Sequence, residues 1–337
     1  MQFIDTEKSL ISRRDSTLLK GFLIILIVLG HNGILMGKAP GLSVTTLNDY
    51  LYSFHVYLFL ILPFLYNIPQ FTKERLKKDF LHIYKSYTLM CIVLVFINTF
   101  LLNQEFNLWN TLLAFLSGNE LKIKTVIGAS FPWFMPTMFS LLLLRNYLLN
   151  KKNNVLLLSV ALSFVLFTSA RVFNAVSFYH CKFIVFGGMI ATAYFSLAVI
   201  SRYLYEKLSD KRYFKLISIS TFAISTAIFF SYSPMSNITF NAIRYAILPI
   251  SALFTFIIFV NNLRNTYIVN VLEYFGKESL PIYMIHVFIY NFIMILIQKA
   301  QIPLDLLSGI ISFILTIAIT LLIIHLCKKT RIYKYLF

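Results

Sequence analysis

Ionisable side chains interrupt two apolar stretches near the N-terminus. Lys20 and His31 lie in the first stretch, and His55 lies in the second. If the first stretch is a helix, the eleven residues from Lys20 to His31 cover about 16 Å and about three turns, so both side chains project from one face. A buried imidazole tends to be neutral and can act as a general base or as a nucleophile. The spacing predicts a polar lane with Lys20 at its mouth and His31 deep inside. The structural alternative is that Lys20 anchors the helix at a membrane surface and His31 only packs helices together.

A third histidine, near the C-terminus, has polar neighbours at helical spacing. Ser279, Tyr283 and His286 are separated by four and three residues, which places them on one face of a helix. We expect this face to point into the protein, because ionisable groups avoid lipid. We also expect His55 to lie at the depth of His31 and to face it. The structural alternatives are an interfacial His55 and a polar packing stripe that includes His286.

Basic and aromatic residues mark further candidates. Arg75 and Lys78 belong to a basic cluster at residues 73–78, and such cations suit a phosphate-rich ligand such as a nucleotide-bearing coenzyme. The alternative is that the cluster only fixes topology or holds anionic lipid. Trp133 is typical of an aromatic belt at a membrane surface. No histidine pair and none of the 3 cysteines has the spacing of a metal site, so no metal is expected.

The composition indicates what must position these residues. Hydrophobic residues make up 58% of the 337 residues, charged residues make up 13%, and the mean hydropathy is +0.76. A soluble domain of this size needs a more charged surface, so the composition excludes that class. The net charge of +17 comes from short basic clusters between long apolar runs, which is typical of a membrane protein rather than of a nucleic-acid-binding one. The sequence predicts an all-α, polytopic integral membrane protein.

About ten apolar runs are long enough to cross a bilayer as helices. The predicted spans are 18–37, 48–67, 82–102, 131–149, 154–170, 177–200, 214–231, 240–261, 279–297 and 304–326. On this plan most of the 30 basic residues fall on one side, which predicts that the N- and C-termini are both cytoplasmic. We expect a single transmembrane domain over 1–337. It has a cytoplasmic leader at 1–17, an outer loop at 103–130 with a short re-entrant or interfacial segment, and a cytoplasmic tail at 327–337.

Five segments together resemble the membrane-bound acyltransferase family 3, in particular its sugar O-acetyltransferase members. In chain order they are residues 19–31, 53–59, 75–78, 132–134 and 276–286. The first places ten residues between Lys20 and His31, as the family's first helix does between a basic residue and an essential histidine. The last is similar to the family's Gly-x-x-Ser-Leu-x-Ile-Tyr-x-x-His. The sequence departs from the family at Tyr57, where the family has proline, and at Lys78, where the family's Arg-x-x-Arg stretch has its second arginine.

The resemblance implies a function and a set of site residues. The function is transfer of an acyl group, most often acetyl, from cytosolic acyl-CoA to a hydroxyl of a cell-envelope polysaccharide or of its lipid-linked precursor. The resemblance implies His31 as the catalytic base or nucleophile and Lys20 as a residue that positions the donor. Arg75 and Lys78 are expected to bind the phosphates of the coenzyme. The residues expected to line the substrate path are His55, Trp133, Ser279, Tyr283 and His286.

The resemblance also sets the expected surroundings of the protein. Acetyl-CoA is expected as a donor substrate, with no tightly bound cofactor. The expected partners are the envelope glycan and membrane lipids, without nucleic acid, and the expected location is the inner (plasma) membrane of a bacterium. The alternative from another class is a transporter or flippase of a lipid-linked glycan, which shares the helix count and the intramembrane histidines. The sequence lacks the internal repeat that many transporters have.

Overall fold

The computed structural model describes residues 4–37, 45–101, 105–129, 131–175, 187–232, 237–330 and 333–336. Within these ranges the chain consists of helices, turns and short connections, and no strand occurs. The predicted all-α class is therefore confirmed. The helices are α1 (Arg13–His31), α2 (Thr45–Ile61), α3 (Lys73–Phe96), α4 (Leu108–Ser117), α5 (Glu120–Ile127), α6 (Phe134–Leu148), α7 (Asn153–Phe167), α8 (Gly188–Leu208), α9 (Phe214–Tyr232), α10 (Ile238–Ala242), α11 (Leu248–Asn262), α12 (Thr266–Lys277), α13 (Ser279–Lys299), α14 (Leu306–Lys329) and α15 (Tyr333–Leu336).

The helices belong to two compact units. The first unit comprises Met1–Leu10 and Leu60–Lys207, and it contains α3 to α8. The second unit comprises Ile11–Phe59 and Leu208–Tyr335, and it contains α1, most of α2 and α9 to α14. The second unit is therefore assembled from two parts of the chain that the first unit separates in sequence.

Six helical segments are long and apolar enough to cross a membrane. They are Lys73–Phe100, Asn153–Val172, Phe214–Ser231, Ile238–Asn262, Ser279–Lys299 and Leu306–Lys329. Each coincides with one of the predicted spans, so the chain is a multi-pass membrane protein. The other predicted spans are 18–37, 48–67, 131–149 and 177–200. Their described parts are mainly helical. However, α1 carries several charges in its first turns, α2 and α6 are short, and part of the span at 177–200 lies outside the described residues. The count of ten stays a prediction.

Two helix boundaries differ from the prediction because side chains cap the helices. Helix α3 begins at Lys73 rather than at residue 82, because the Thr72 hydroxyl accepts a hydrogen bond from the backbone N–H of Arg75. Helix α1 ends at His31 rather than at residue 37, because Asn32 leaves the helical conformation with a ψ of 97°. His31 is therefore the last residue of its helix rather than an interior residue of a longer one.

The predicted outer loop at 103–130 contains two short helices, α4 and α5, in its described part. Helix α4 is apolar but has only 10 residues, which is too short to cross a bilayer. It packs on α3 through the stacked rings of Phe115 and Tyr87, whose centroids are 4.9 Å apart. The Tyr87 hydroxyl also donates a hydrogen bond of 2.9 Å to the Phe115 carbonyl. These contacts fix the short apolar helix α4 to the membrane-spanning helix α3. The location of α4 at the outer surface stays a prediction.

Buried Arg202 organises the first unit by binding backbone carbonyls. Its Nη1 donates to the carbonyls of Phe64 at 2.5 Å and Tyr66 at 2.7 Å, and its Nη2 donates to those of Asp5 and Lys8. These carbonyls belong to a turn after α2 and to the N-terminal segment, where no helix supplies a backbone partner. One guanidinium offers five N–H groups in a planar fork and can satisfy several such acceptors at once. Arg202 thus ties the N-terminal segment and the turn to α8.

Helix α1 crosses α12 in the second unit with the two backbones in contact. A Cβ atom on Gly21 would overlap the Leu272 carbonyl, and a Cβ atom on Gly276 would overlap the Thr17 carbonyl. The two contacts are reciprocal, since each helix presents a glycine to a carbonyl of the other. They set the height of α1 against α12, and α12 leads through one residue into α13. The contact therefore positions the histidine of α1 against that of α13.

Replacing Arg202 by glutamine is expected to lower the free energy of unfolding by about 3–5 kcal/mol, because buried carbonyls lose their charged donor. Thermal unfolding of the full-length protein in detergent measures the change. Arg212→Gln serves as the matched control, because Arg212 is exposed. Equal melting temperatures for the two variants would contradict the assignment of Arg202.

Replacing Gly21 by alanine is expected to lower the free energy of unfolding by about 1–3 kcal/mol, because the added methyl group forces α1 away from α12. The control is Gly30→Ala on the same helix. A Cβ atom there would meet the His55 ring at 3.4 Å, an ordinary contact. The same melting experiment should show a loss for the first variant and none for the second, and a Gly21→Ala variant as stable as the control would refute the close crossing.

Candidate active site

His31 and His286 form a directly bonded pair in the second unit. The Nδ1 atom of His31 lies 3.3 Å from the Nε2 atom of His286, and the ring centroids are 5.0 Å apart at an interplanar angle of 63°. His286 is fully buried, whereas His31 is partly exposed at the C-terminal end of α1. The pair joins two of the histidines that the sequence singles out, although 255 residues separate them.

The backbone decides which nitrogen of each neutral ring holds the proton. The Nδ1 atom of His31 lies 2.9 Å from the Ile27 carbonyl, and the Nδ1 atom of His286 lies 2.8 Å from the Ile282 carbonyl. A carbonyl oxygen only accepts hydrogen bonds, so both neutral rings carry their proton on Nδ1. The Nε2 atom of His286 then accepts from the Nδ1–H group of His31. The Nε2 atom of His31 keeps its lone pair, which is the property that a base or a nucleophile needs.

Tyr52 and His55 bring helix α2 to this pair. The Tyr52 ring lies edge-on to both neighbours, with its centroid 6.1 Å from that of His31 and 4.8 Å from that of His55. The Nδ1 atom of His55 donates to the Leu51 carbonyl, and its Nε2 atom faces Gly30, the residue before His31. The sequence analysis missed Tyr52. Its position three residues before His55, on the same side of α2, is the signal that could have found it.

Asn32 fixes the end of α1 by hydrogen bonds to α14. Its Nδ2 atom donates to the Gly309 carbonyl at 3.1 Å and to the Ser312 hydroxyl at 3.0 Å. Its Oδ1 atom accepts from the backbone N–H of Leu35 at 3.0 Å. All these bonds are buried or partly buried, so the residue after His31 cannot move without breaking them. Asn32 is therefore a positioning residue that sequence reasoning did not identify.

Glu278 holds the start of α13 in a second polar cluster. This buried carboxylate accepts from the Lys328 ammonium at 2.5 Å and from the Tyr333 hydroxyl at 2.9 Å. Burial and the adjacent carboxylate both raise the pKa of the Tyr333 hydroxyl, so it stays a neutral donor at physiological pH. The cluster joins the α12–α13 connection to the C-terminal end of α14 and to α15.

The other predicted residues of α1 and α13 lie at different distances from the histidine pair. The Tyr283 ring centroid is 6.3 Å from that of His286. Ser279 is the first residue of α13, so its backbone is about 10 Å along the helix from His286. Lys20 and His31 both belong to the uninterrupted helix α1, which keeps their predicted separation of about 16 Å. The structure therefore brings Tyr283 to the pair and leaves Ser279 and Lys20 further along their helices.

Three predicted residues belong to the first unit. Arg75 forms an ion pair of 3.0 Å with Asp79 one turn later on α3, and Lys78 is exposed. The Asp79 carboxylate also accepts from the Asn146 amide at 3.3 Å. Trp133 lies in the turn before α6, with its ring edge-on to that of Phe134 at 6.2 Å. Arg75 thus retains an accessible guanidinium whose orientation an acidic neighbour fixes.

A protein-family model described as an acyltransferase domain matches residues 14–325. The chain belongs to the membrane-bound acyltransferase family 3. The match confirms the family that the sequence motifs resemble, and it includes every predicted site residue of this acyltransferase. No curated protein and no solved structure matches the sequence. The family and the apolar helices together establish a multi-pass membrane acyltransferase.

The cysteines of this acyltransferase show no disulfide in the described residues. Cys91 and Cys327 are free cysteines, and Cys181 lies outside the described residues. Within the same ranges, no group of three or more histidine, cysteine, aspartate or glutamate side chains could hold a metal ion.

Nuclear magnetic resonance of isotope-labelled histidine can test the assigned tautomers. In the neutral state we expect His31 and His286 each to show a protonated Nδ1 and an unprotonated Nε2, because backbone carbonyls accept from both Nδ1–H groups. The variants His31→Gln and His286→Gln assign the signals, and His325, which is exposed on α14, provides a reference outside the pair. A His31 ring protonated on Nε2 would exclude the proposed direction of the pair.

Proposed function

We propose that this acyltransferase is an O-acyltransferase that moves an acyl group, most often acetyl, from acyl-CoA to a hydroxyl of a cell-envelope polysaccharide or of its lipid-linked precursor. The observation that supports the proposal most directly is the His31–His286 pair. Its hydrogen bonds favour a ring proton on Nδ1 of His31, which makes Nε2 the basic nitrogen of that ring. An ester-forming transfer requires such a base, because a sugar hydroxyl is a weak nucleophile until its proton is removed.

The proposed reaction uses that nitrogen twice. Nε2 of His31 takes the proton of the acceptor hydroxyl as its oxygen forms a bond to the thioester carbonyl carbon. The carbon–sulfur bond then breaks, and the imidazolium returns the proton to the departing thiolate of the coenzyme. Positive charge on the His31 ring is stabilised by the Ile27 carbonyl and by Nε2 of His286, which both accept from Nδ1–H. His286 acts as a positioning residue that also supports this charge.

A second route is open to the same nitrogen. Nε2 of His31 can attack the thioester carbonyl carbon, which breaks the carbon–sulfur bond and gives an acyl-imidazolium and the thiolate of the coenzyme. The sugar hydroxyl then attacks the acyl carbon, its proton passes to the thiolate, and Nε2 is released. Both routes require the proton of His31 on Nδ1. The geometry around Ile27 and His286 therefore supports the reaction whichever order its steps take.

The donor's phosphates are assigned to Arg75 and Lys78 on chemical grounds. Arg75 presents a partly exposed guanidinium held by Asp79, and Lys78 presents an exposed ammonium group. Lys20 is proposed to position the donor from its place three turns before His31. His55, Trp133, Ser279 and Tyr283 are proposed to line the paths of the two substrates.

The proposed setting is the inner membrane of a bacterium. We propose about ten membrane-spanning helices with both termini in the cytoplasm, which places the basic cluster at residues 73–78 on the side where acyl-CoA is made. The six long apolar helices support part of this plan. The family match supports the acyl transfer, and the acetyl group and the glycan acceptor are the finer parts of the proposal.

The substitution His31→Ala tests the function. We expect the O-acetyl content of the surface polysaccharide to fall at least 100-fold, to the level of a gene deletion, because the reacting base is lost. Polymer amount and chain length should not change. The same variant, purified in full length, should fail to consume radiolabelled acetyl-CoA in the presence of the polysaccharide.

His325→Ala is the matched control, because His325 is exposed near the end of α14. It should retain normal acetylation at equal expression. Full acetylation by His31→Ala would refute the mechanism. A deletion that shortens or reduces the polymer while its acetylation persists would favour a transporter or flippase.

A further inference from the structure

A charged pair at the start of α2 has no part in the proposed reaction. Asp49 lies 3.4 Å from Arg244, and their side chains are 45% and 21% exposed. Arg244 belongs to the wide helical turn Ile243–Ile247 that links α10 to α11. Its guanidinium lies 5.8 Å from the ring centroid of Phe229 and 5.1 Å from that of Tyr245. Wide turns of this kind occur frequently at functional sites.

Aromatic rings continue this surface beside the pair. The Tyr50 ring packs against those of Phe229 and Phe230, with centroids 5.4 and 5.0 Å away. The Tyr50 hydroxyl shares a hydrogen bond of 2.9 Å with the Thr226 hydroxyl, which fixes the ring. Phe230 remains 47% exposed and presents an open face. We call Asp49, Arg244, Tyr50 and Phe230 the aromatic lip.

One member of the aromatic lip, Asp49, lies one helical turn from Tyr52. Asp49 precedes Tyr52 by three residues on α2, a rise of about 4.5 Å, and the Tyr52 ring contacts that of His31. All these residues belong to the second unit. Tyr50 and Phe230 lie on the other side of α2 from Tyr52, so a polymer bound at the lip through one sugar unit would reach the histidine pair through its next units.

Stability does not account for this arrangement. A partly exposed ion pair contributes only about 0–1 kcal/mol to folding, and placing it in a wide turn of a membrane-spanning helix gains no further helix hydrogen bonds. An aromatic ring beside a carboxylate and a guanidinium is instead suited to binding a sugar. An aromatic face packs against the C–H face of a sugar ring, while a carboxylate accepts from hydroxyls and a guanidinium donates to them.

We propose that the aromatic lip binds a neutral saccharide unit of the acceptor. The inference rests on the proposed function and specifies its acceptor class. The carboxylate of Asp49 neutralises the guanidinium of Arg244, so the pair offers no net attraction to a carboxylated or phosphorylated sugar. The neighbouring hydroxyls of a neutral ring instead satisfy both members of the pair, with Phe230 beneath the ring.

Opposite changes of charge provide the test. Full-length protein is reconstituted with radiolabelled acetyl-CoA and de-O-acetylated polysaccharide prepared from the native cells. Asp49→Asn and Arg244→Gln should each raise the KM for the polysaccharide at least ten-fold, with less than a two-fold change in the KM for acetyl-CoA. An anionic acceptor predicts a different result. Asp49→Asn would then lower the acceptor KM, because it frees the guanidinium, and that result would overturn the neutral class.

A phenylalanine pair provides the matched control. Phe230→Leu should raise the acceptor KM at least five-fold, whereas Phe292→Leu, at another exposed phenylalanine of the second unit, should leave both KM values unchanged. Unchanged acceptor KM values in Asp49→Asn, Arg244→Gln and Phe230→Leu would overturn this inference alone. A lack of transfer by the unaltered protein would overturn the proposed function and this inference with it.

Discussion

A polar group removed from water must find its partner within the protein, and this constraint governs the centre of the second unit. Each ring of the His31–His286 pair donates a hydrogen bond to the carbonyl four residues earlier in its own helix. Each helix therefore supplies one backbone acceptor for the pair. The remaining hydrogen bond joins the two helices. These contacts make His31 the donor and His286 the acceptor of that bond. Nε2 of His31 is then the basic nitrogen on which the proposed reaction depends.

The same constraint shapes the first unit in a different way. There the acceptors are carbonyls of irregular backbone, and a single guanidinium from α8 satisfies them. Arg202 thus replaces the backbone hydrogen bonds that a helix would have provided. In the second unit glycines have a complementary task, because the backbones of α1 and α12 touch only where no side chain intervenes. The hydrogen bonds of Arg202 and the glycine contacts between α1 and α12 both hold segments of the chain in place without a larger apolar core.

Local patterns in the sequence predicted the all-α class of fold, because hydropathy and helical spacing are local properties. The six long apolar helices and the common face of Tyr283 and His286 follow from them. The end of α1 at His31 could not be predicted, because it depends on bonds from Asn32 to α14, which lies 277 residues away in sequence. The pairing of His31 with His286 rather than only with α2 is likewise a long-range result. Tyr52 was missed because an isolated tyrosine in an apolar helix carries no chemical signal of its own.

The discontinuous second unit has a consequence for biosynthesis. A ribosome completes α1 and most of α2 first, then the whole of Leu60–Lys207, and only later the helix that carries His286. Until α13 and α14 enter the membrane, the Nδ1 proton of His31 and the amide of Asn32 lack their distant acceptors. The Glu278 cluster closes last, since Lys328 and Tyr333 are among the final residues to be synthesised. The site of the nascent protein is therefore completed only when the last helices have been made, and a chain that ends before α13 leaves the distant partners of His31 and Asn32 missing.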